Sequence, residues 1–149
     1  MSEQLKPKAL NQKLLRSLSL QNDLQQVPQL SQFVDELCED IGFDKHITMK
    51  LHLAIEEAVV NVINYAYPDD TDGDITVKMA SDGKTLHCQI IDAGIPFDPT
   101  TQEKADITLS AQERQVGGLG ILLVRELMDS INYERIDGQN VLTLTKKVK

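Results

Sequence analysis

Apolar residues fall along this chain in two rhythms, one of period two and one of period near 3.6. In "LLRSLSLQ", Leu14–Gln21, Leu18 and Leu20 alternate with Ser17 and Ser19, which predicts a half-buried strand. From Val27, "VPQLSQFVDELCEDIG" sets Leu30, Phe33, Val34, Leu37 and Ile41 three or four apart on one helical face, and Gly42 supplies a stop. A longer helical pattern follows in "DKHITMKLHLAIEEAVVNVINYAY", with Asp44 placed to cap it and Pro68 to end it. Its apolar stripe is Leu51, Ile55, Ala58, Val59 and Val62. Beyond the polar "PDDTDGD", Ile75, Val77 and Met79 share the face of one strand, and Leu86, Cys88 and Ile90 that of the next. "SDGK", Ser81–Lys84, turns between them, so a hairpin is expected.

Residues 95 to about 116 show no apolar periodicity, and a loop of that length in a compact domain is usually functional or mobile. A third helix comes next, with Ile121, Val124, Leu127 and Met128 on its apolar face. Two strands close the chain, "SINYERI" and "NVLTLTKKV", parted by "DGQ". This order gathers strands into hairpins, which predicts an α+β sandwich with a mixed or antiparallel sheet rather than a doubly wound one. Residues 1–12 are polar, contain Pro7, and are expected to form a flexible tail ahead of a single domain over 13–149.

Composition narrows the function. The 149 residues, 41% of them hydrophobic, suit one domain with one core. No apolar run approaches the roughly 18–20 residues of a membrane span, and "MSEQLKPKAL" lacks the apolar segment of an export signal, so a cytoplasmic protein is expected. Cys38 and Cys88 stand alone without metal spacing and read as small buried hydrophobes. A net charge of −8 argues against direct nucleic-acid binding, and the lack of tryptophan leaves little for a base-stacking platform. A local basic pocket for one nucleotide remains compatible with both.

Three stretches could carry chemistry. Glu57 and Asn61 lie four apart on the long helix, opposite the Leu51/Ile55/Val59 stripe, where a polar pair is ordinarily solvated. Ala54, Ala58 and Val60 stand nearby, where a solvated face would carry lysine and glutamate, so this face is expected to be partly covered. A carboxylate and an amide at that spacing suit a Mg²⁺–phosphate site. In "IIDAGIPFDP", Asp92 sits where a buried strand runs into a turn, and Gly94 permits close approach to the backbone; a plain strand exit reads the same way. In "RQVGGLGILLVREL", Gly117, Gly118 and Gly120 crowd a helix start. No Gly-Lys-Ser/Thr follows and the spacing is not G-x-G-x-x-G, yet free N–H groups at a helix start suit an anion.

Their order is more specific than any one of them. "EEAVVNVINYAY", then "DAGIPFDP", a long loop, and "GGLGILLVRELMD" resemble the GHKL superfamily of ATP-binding domains, shared by gyrase, the large heat-shock chaperone, mismatch-repair ATPases and sensor histidine kinases. Within it the chain looks closest to the bacterial anti-sigma factor serine/threonine kinases. The resemblance runs from about residue 14 to the C-terminus. It implies the Bergerat fold, a two-layer α/β sandwich with helices on one face of a mixed or antiparallel sheet. It also implies ATP and Mg²⁺ as cofactors, with Glu57 as general base, Asn61 as Mg²⁺ ligand, Asp92 as acceptor for the adenine amino group and Gly94 beside the ring. Gly117, Gly118 and Gly120 would be hinge and phosphate-contacting glycines, and residues 95–116 the ATP lid. Family members often carry a basic residue directly before the glycines; Val116 stands there, with Arg114 the nearest cation. Where many carry an adenine-holding threonine, this chain reads "GQNVLTLTKK", leaving Asn140 or Thr143.

The function so implied is an ATP-dependent serine/threonine protein kinase and anti-sigma regulatory factor. It would phosphorylate a small STAS-type anti-anti-sigma protein, sequester a sigma factor, and regulate transcription by partner switching. No membrane and no direct nucleic acid are involved, and a homodimer is left open. Two alternatives stand beside it: a non-catalytic ATP-binding partner-switching module, and a detached histidine kinase-type catalytic domain. Against the latter, none of His46, His52 and His87 lies in an H-E/D-x-x-x-P context.

Overall fold

The longest helix sits between the other two, and this placement decides what its polar face can do. A computed structural model describes residues 13–68, 71–101 and 118–148. In chain order these form β1 (Lys13–Gln21), α1 (Val27–Ile41), α2 (Lys45–Tyr65), β2 (Asp74–Ser81), β3 (Thr85–Asp92), α3 (Gly118–Leu127), β4 (Ser130–Ile136) and β5 (Gln139–Lys147). The strands make one antiparallel sheet in the order β1-β2-β3-β5-β4. The expected sandwich is therefore present, in its antiparallel form. The expected tail, residues 1–12, lies outside the described residues, as do residues 102–116 of the expected lid.

Local chemistry sets the helix ends. The Asp44 carboxylate accepts the Ile47 N–H at 2.8 Å and so caps α2. Gly42, at φ 89, ends α1 in the left-handed region, and its N–H donates to the carbonyls of Cys38 and Glu39.

All three helices pack on the sheet face formed by Ile75, Val77 and Met79 of β2, Leu86, Cys88 and Ile90 of β3, and Leu142 and Leu144 of β5. Leu30 and Val34 of α1, Leu51, Ile55 and Val59 of α2, and Ile121 and Val124 of α3 meet them there. Ile90 is fully buried, and truncating such a side chain to alanine costs about 2–5 kcal/mol. Cys38 and Cys88 are buried and unpaired, and burial pushes both thiols above their ordinary range. No described helix is long and apolar enough to cross a membrane.

With α1 on one side and α3 on the other, α2 is enclosed on more than its apolar stripe. Ala54 and Ala58 are fully buried and Asn61 is 1% exposed. The solvated reading of the Glu57/Asn61 face thus fails at Asn61, because α3 folds back over it. One turn matters for the site as well. Asp137 (φ 51) and Gly138 (φ 79) form a tight two-residue link between β4 and β5. The ladder that follows sets Asn140 directly across from Asp92.

Candidate nucleotide-binding site

The C-terminal half of α2 carries Glu57, Asn61 and Tyr65 at intervals of four, so the three stack along one line of the helix. Both polar atoms of the Asn61 amide are buried without a hydrogen-bond partner among the described residues. Leaving a buried amide unsatisfied costs about 1–3 kcal/mol, which calls for a functional explanation. Glu57 is half-buried, and its carboxylate makes no hydrogen bond or ion pair among the described residues.

The first turn of α3 closes over this pair. A Cβ at Gly120 would stand 2.7 Å from Glu57 Oε2 and 3.8 Å from Asn61 Nδ2. Only a glycine lets α3 approach so closely while leaving the carboxylate where it is. Gly118 is the first residue of α3, so the glycine cluster does open a helix. Arg114 and Gly117 lie outside the described residues.

Asp92 ends β3 at the other pole of the site and is 2% exposed. Its Oδ1 accepts Asn140 Nδ2 at 2.8 Å and the Gly94 N–H at 2.8 Å; no bond to Oδ2 is made among the described residues. Burial raises the Asp92 pKa above its ordinary value, opposed by those two donors and by the charge of Arg135. Gly94 is required by packing alone, since a Cβ there would lie 2.2 Å from the Ala66 carbonyl oxygen, which also accepts the Ile95 N–H.

Several residues here carry no local signal in the sequence. The Tyr65 ring stacks on Phe97, centroids 5.5 Å apart, and so joins α2 to the segment after β3. The Tyr67 hydroxyl accepts the Ala93 N–H and donates to the Asp74 carbonyl. Arg125 of α3 donates to the carbonyl of Thr100. Tyr65 could have been found as the next member of the 57–61 line; Arg125 and Tyr67 depend on the tertiary fold. Of the two alternatives for the last strand, Asn140 bonds Asp92, whereas Thr143 lies opposite Gln89 on the other face of the sheet. A groove between α1 and α2, lined by Asp35, Phe43, Met49, His52 and Leu53, holds none of the expected site residues.

The residues fit a magnesium nucleotide. An amide without a partner among the described residues offers a hard oxygen ligand, and a glycine-floored gap lies beside a carboxylate that is likewise unpaired among them. A buried acceptor, Asp92, stands at the end of β3, where Gly94 meets the Ala66 carbonyl just past the end of α2. No cluster of three or more His, Cys, Asp or Glu side chains suited to a metal occurs among the described residues. A Mg²⁺ ion would therefore take few protein ligands and rely on phosphate oxygens and water, as that ion commonly does.

Comparison with known proteins bears on the family and the fold. A family model described as "Histidine kinase-like ATPase domain" matches residues 20–146. The serine-protein kinase RsbW of Listeria monocytogenes serovar 1/2a is 30% identical over 111 residues, covering 72% of this chain and 70% of its own. The serine/threonine-protein kinase BtrW of Bordetella bronchiseptica is 32% identical over 95 residues, covering 64% and 67%. Among solved structures, the RsbU and RsbW domains of Rv1364c from Mycobacterium tuberculosis superpose with a TM-score of 0.62 at 19% identity, a likeness of fold. That match covers 90% of this chain, which spans 33% of the solved one.

Proposed function

Since the chain belongs to the family of histidine kinase-like ATPase domains, in the branch of the RsbW serine-protein kinases, we propose that it is an ATP-dependent serine/threonine protein kinase acting on a small STAS-type antagonist protein. In the same reading it sequesters a sigma factor in the cytoplasm, and the switch between the two partners regulates transcription. The observation that carries the reading is the buried Asn61 amide one helical turn from the Glu57 carboxylate, beneath Gly120, both without a partner among the described residues.

Each residue has a physical task. Bound Mg²⁺-ATP supplies the phosphoryl group and neutralises the charge that builds up on it. The Asn61 amide oxygen ligates the ion, which offsets the cost of its burial. The Glu57 carboxylate accepts the proton of the acceptor hydroxyl, a role that needs an unpaired base within reach of it. Asp92 takes the adenine amino group and Gly94 borders the ring. Gly117, Gly118 and Gly120 keep side chains away from the phosphates, Arg114 offers the nearest cation, and residues 95–116 act as the lid.

The test is incubation of the chain with γ-labelled ATP, Mg²⁺ and candidate antagonist proteins. Label is expected on a serine or threonine of the antagonist. Glu57→Ala is expected to abolish transfer while nucleotide binding survives. Undiminished transfer would overturn the role of Glu57. Nucleotide binding without any transfer, with partner control unaltered in Glu57→Ala, would favour a binding module.

A further inference from the structure

Asn140 is 3% exposed, and its amide makes five hydrogen bonds. Nδ2 donates to Asp92 Oδ1 at 2.8 Å and to the Ile95 carbonyl at 2.8 Å. Oδ1 accepts the Phe97 N–H at 3.2 Å, Arg135 Nη1 at 3.1 Å and the Tyr133 hydroxyl. The amide has one self-consistent orientation. On its nitrogen side a carbonyl and a carboxylate accept; on its oxygen side a backbone N–H and a guanidinium can only donate.

Both N–H groups of the amide are used in this way, and none is left for a base. Asn140 therefore does not read a nucleotide itself. What it does is join three pieces of chain: Asp92 at the end of β3, the Ile95–Phe97 segment that leads away from it, and β4 through Tyr133 and Arg135. Arg135 Nη1 also donates to the Gly94 carbonyl at 2.9 Å, and the Gly94 N–H returns to Asp92 Oδ1. The result is a closed ring of hydrogen bonds around one carboxylate.

We infer that Asn140 is a positioning residue for base recognition, which holds the Asp92 carboxylate and the Ile95–Phe97 segment in one fixed arrangement. This rests on the reading of Asp92 as the adenine acceptor. In its consequence, adenine binding and the start of the 95–116 segment depend on the same amide.

Asn140→Asp tests it with almost no change in shape, because it replaces a donor to Asp92 by an acceptor. Two ionised carboxylates at hydrogen-bond distance repel each other, and uptake of one proton by the pair relieves the repulsion. Among the described residues, Arg135 of β4 and Tyr67 after α2 also face Asp92, and Tyr133 of β4 faces Asn140; the variant keeps all three. Binding of a fluorescent ATP analogue would be titrated from pH 8 to pH 6. The wild-type protein is expected to show no gain of affinity on acidification, since a proton on Asp92 could only remove its charge. At pH 8 the variant is expected to bind about tenfold or more weakly, the scale of one charge-assisted hydrogen bond. On acidification it should regain affinity, because the introduced carboxyl, once protonated, donates to Asp92 again, so its affinity rises where that of the wild type does not. A weaker variant with the wild-type slope would mark a merely structural role and overturn the inference, as would unchanged affinity.

A nucleotide-free arm uses Asn140→Ala and amide hydrogen exchange. Exchange at Gly94 and Phe97 is expected to quicken about tenfold, with the β3 amides away from the site unchanged. Equal protection in both proteins would overturn the proposal. A wild-type chain that binds no nucleotide would count against the proposed function, and the exchange arm would still decide whether Asn140 holds this segment.

Discussion

Gly120 leaves room for Glu57: a Cβ at position 120 would lie 2.7 Å from the Glu57 Oε2 atom, inside the reach of any real contact. The obstructed atom is the free end of a flexible side chain, so the fold can yield by swinging the carboxylate aside. Gly120→Ala is therefore expected to fold with a melting temperature close to wild type. Displacing a reacting group by about 1 Å costs on the order of 10²-fold in rate. Phosphoryl transfer should fall at least tenfold further than nucleotide affinity does. A paired calorimetric and label-transfer measurement checks this, and full transfer in Gly120→Ala would separate Glu57 from the chemistry.

Asn61 holds a buried amide at a cost in stability that Mg²⁺ is proposed to offset. Asn61→Leu removes the unsatisfied donor and acceptor in nearly the same volume. It should stabilise the nucleotide-free chain by about 1–3 kcal/mol, the penalty of an unsatisfied buried polar group. At this size that is a rise of about 2–4 °C in melting temperature per kcal/mol. Nucleotide affinity in Mg²⁺ is expected to fall at least tenfold, while affinity in EDTA stays level. A destabilised variant with intact Mg²⁺-dependent binding would reverse both assignments.

What was legible in the sequence follows from the range of each interaction. The helices and strands answer to periodicities within a dozen residues, and Asp44, Gly42 and the Asp137–Gly138 turn mark ends by local chemistry. Glu57 and Asn61 were visible as neighbours one turn apart. Partial cover of their face was also legible, from Ala54, Ala58 and Val60; what covers it was not, because α3 lies far onward in the chain. Asn140 opposite Asp92 is a matter of register across 48 residues. Tyr133 and Arg135 follow from that register and from strand pairing, and no local pattern singles them out. The glycine at 94 was read as permitting a close approach to the backbone, and the Ala66 carbonyl makes such an approach.

Asp92 places ionisation and recognition in opposition. Its folded pKa is raised by burial, so the folded chain holds a proton that the unfolded chain releases. Stability then falls as pH rises from about 4, the unfolded value, through the raised folded value, and stays lower above it. Asp92→Asn keeps an oxygen for Asn140 and Gly94 and removes the charge. At pH 7.5 it should melt at or above the wild-type temperature, and the stability difference should shrink toward pH 4. Adenine nucleotide affinity should drop about tenfold to a hundredfold with the charged acceptor gone. Denaturant titrations at several pH values with a parallel binding assay check both. A less stable variant at pH 7.5 would show that the carboxylate is favoured in its ionised form.

His52 ties α1 to α2 away from the nucleotide. Its Nδ1 meets Asp35 Oδ1 at 2.9 Å and its Nε2 meets Glu56 Oε2 at 3.0 Å, while Ser31 Oγ donates to the same Glu56 oxygen at 2.7 Å. Only the imidazolium can donate from both nitrogens, and the Asp35 hydrogen bond leads in raising the His52 pKa against the opposing effect of burial. A raised histidine stabilises fully below its unfolded pKa of about 6.5 and loses that contribution as pH climbs through the folded value. The ring is partly exposed, so solvent screening holds the effect to about 0.5–1 kcal/mol. His52→Gln should therefore lower stability most at pH 5.5, and the difference should fade by about pH 8.5. Added salt at 0.5 M should shrink the low-pH difference, since the Debye length then falls to about 4 Å. Urea midpoints for both proteins at three pH values measure it. A stability difference that stays constant with pH would show that packing of the ring, and not its charge, joins the two helices.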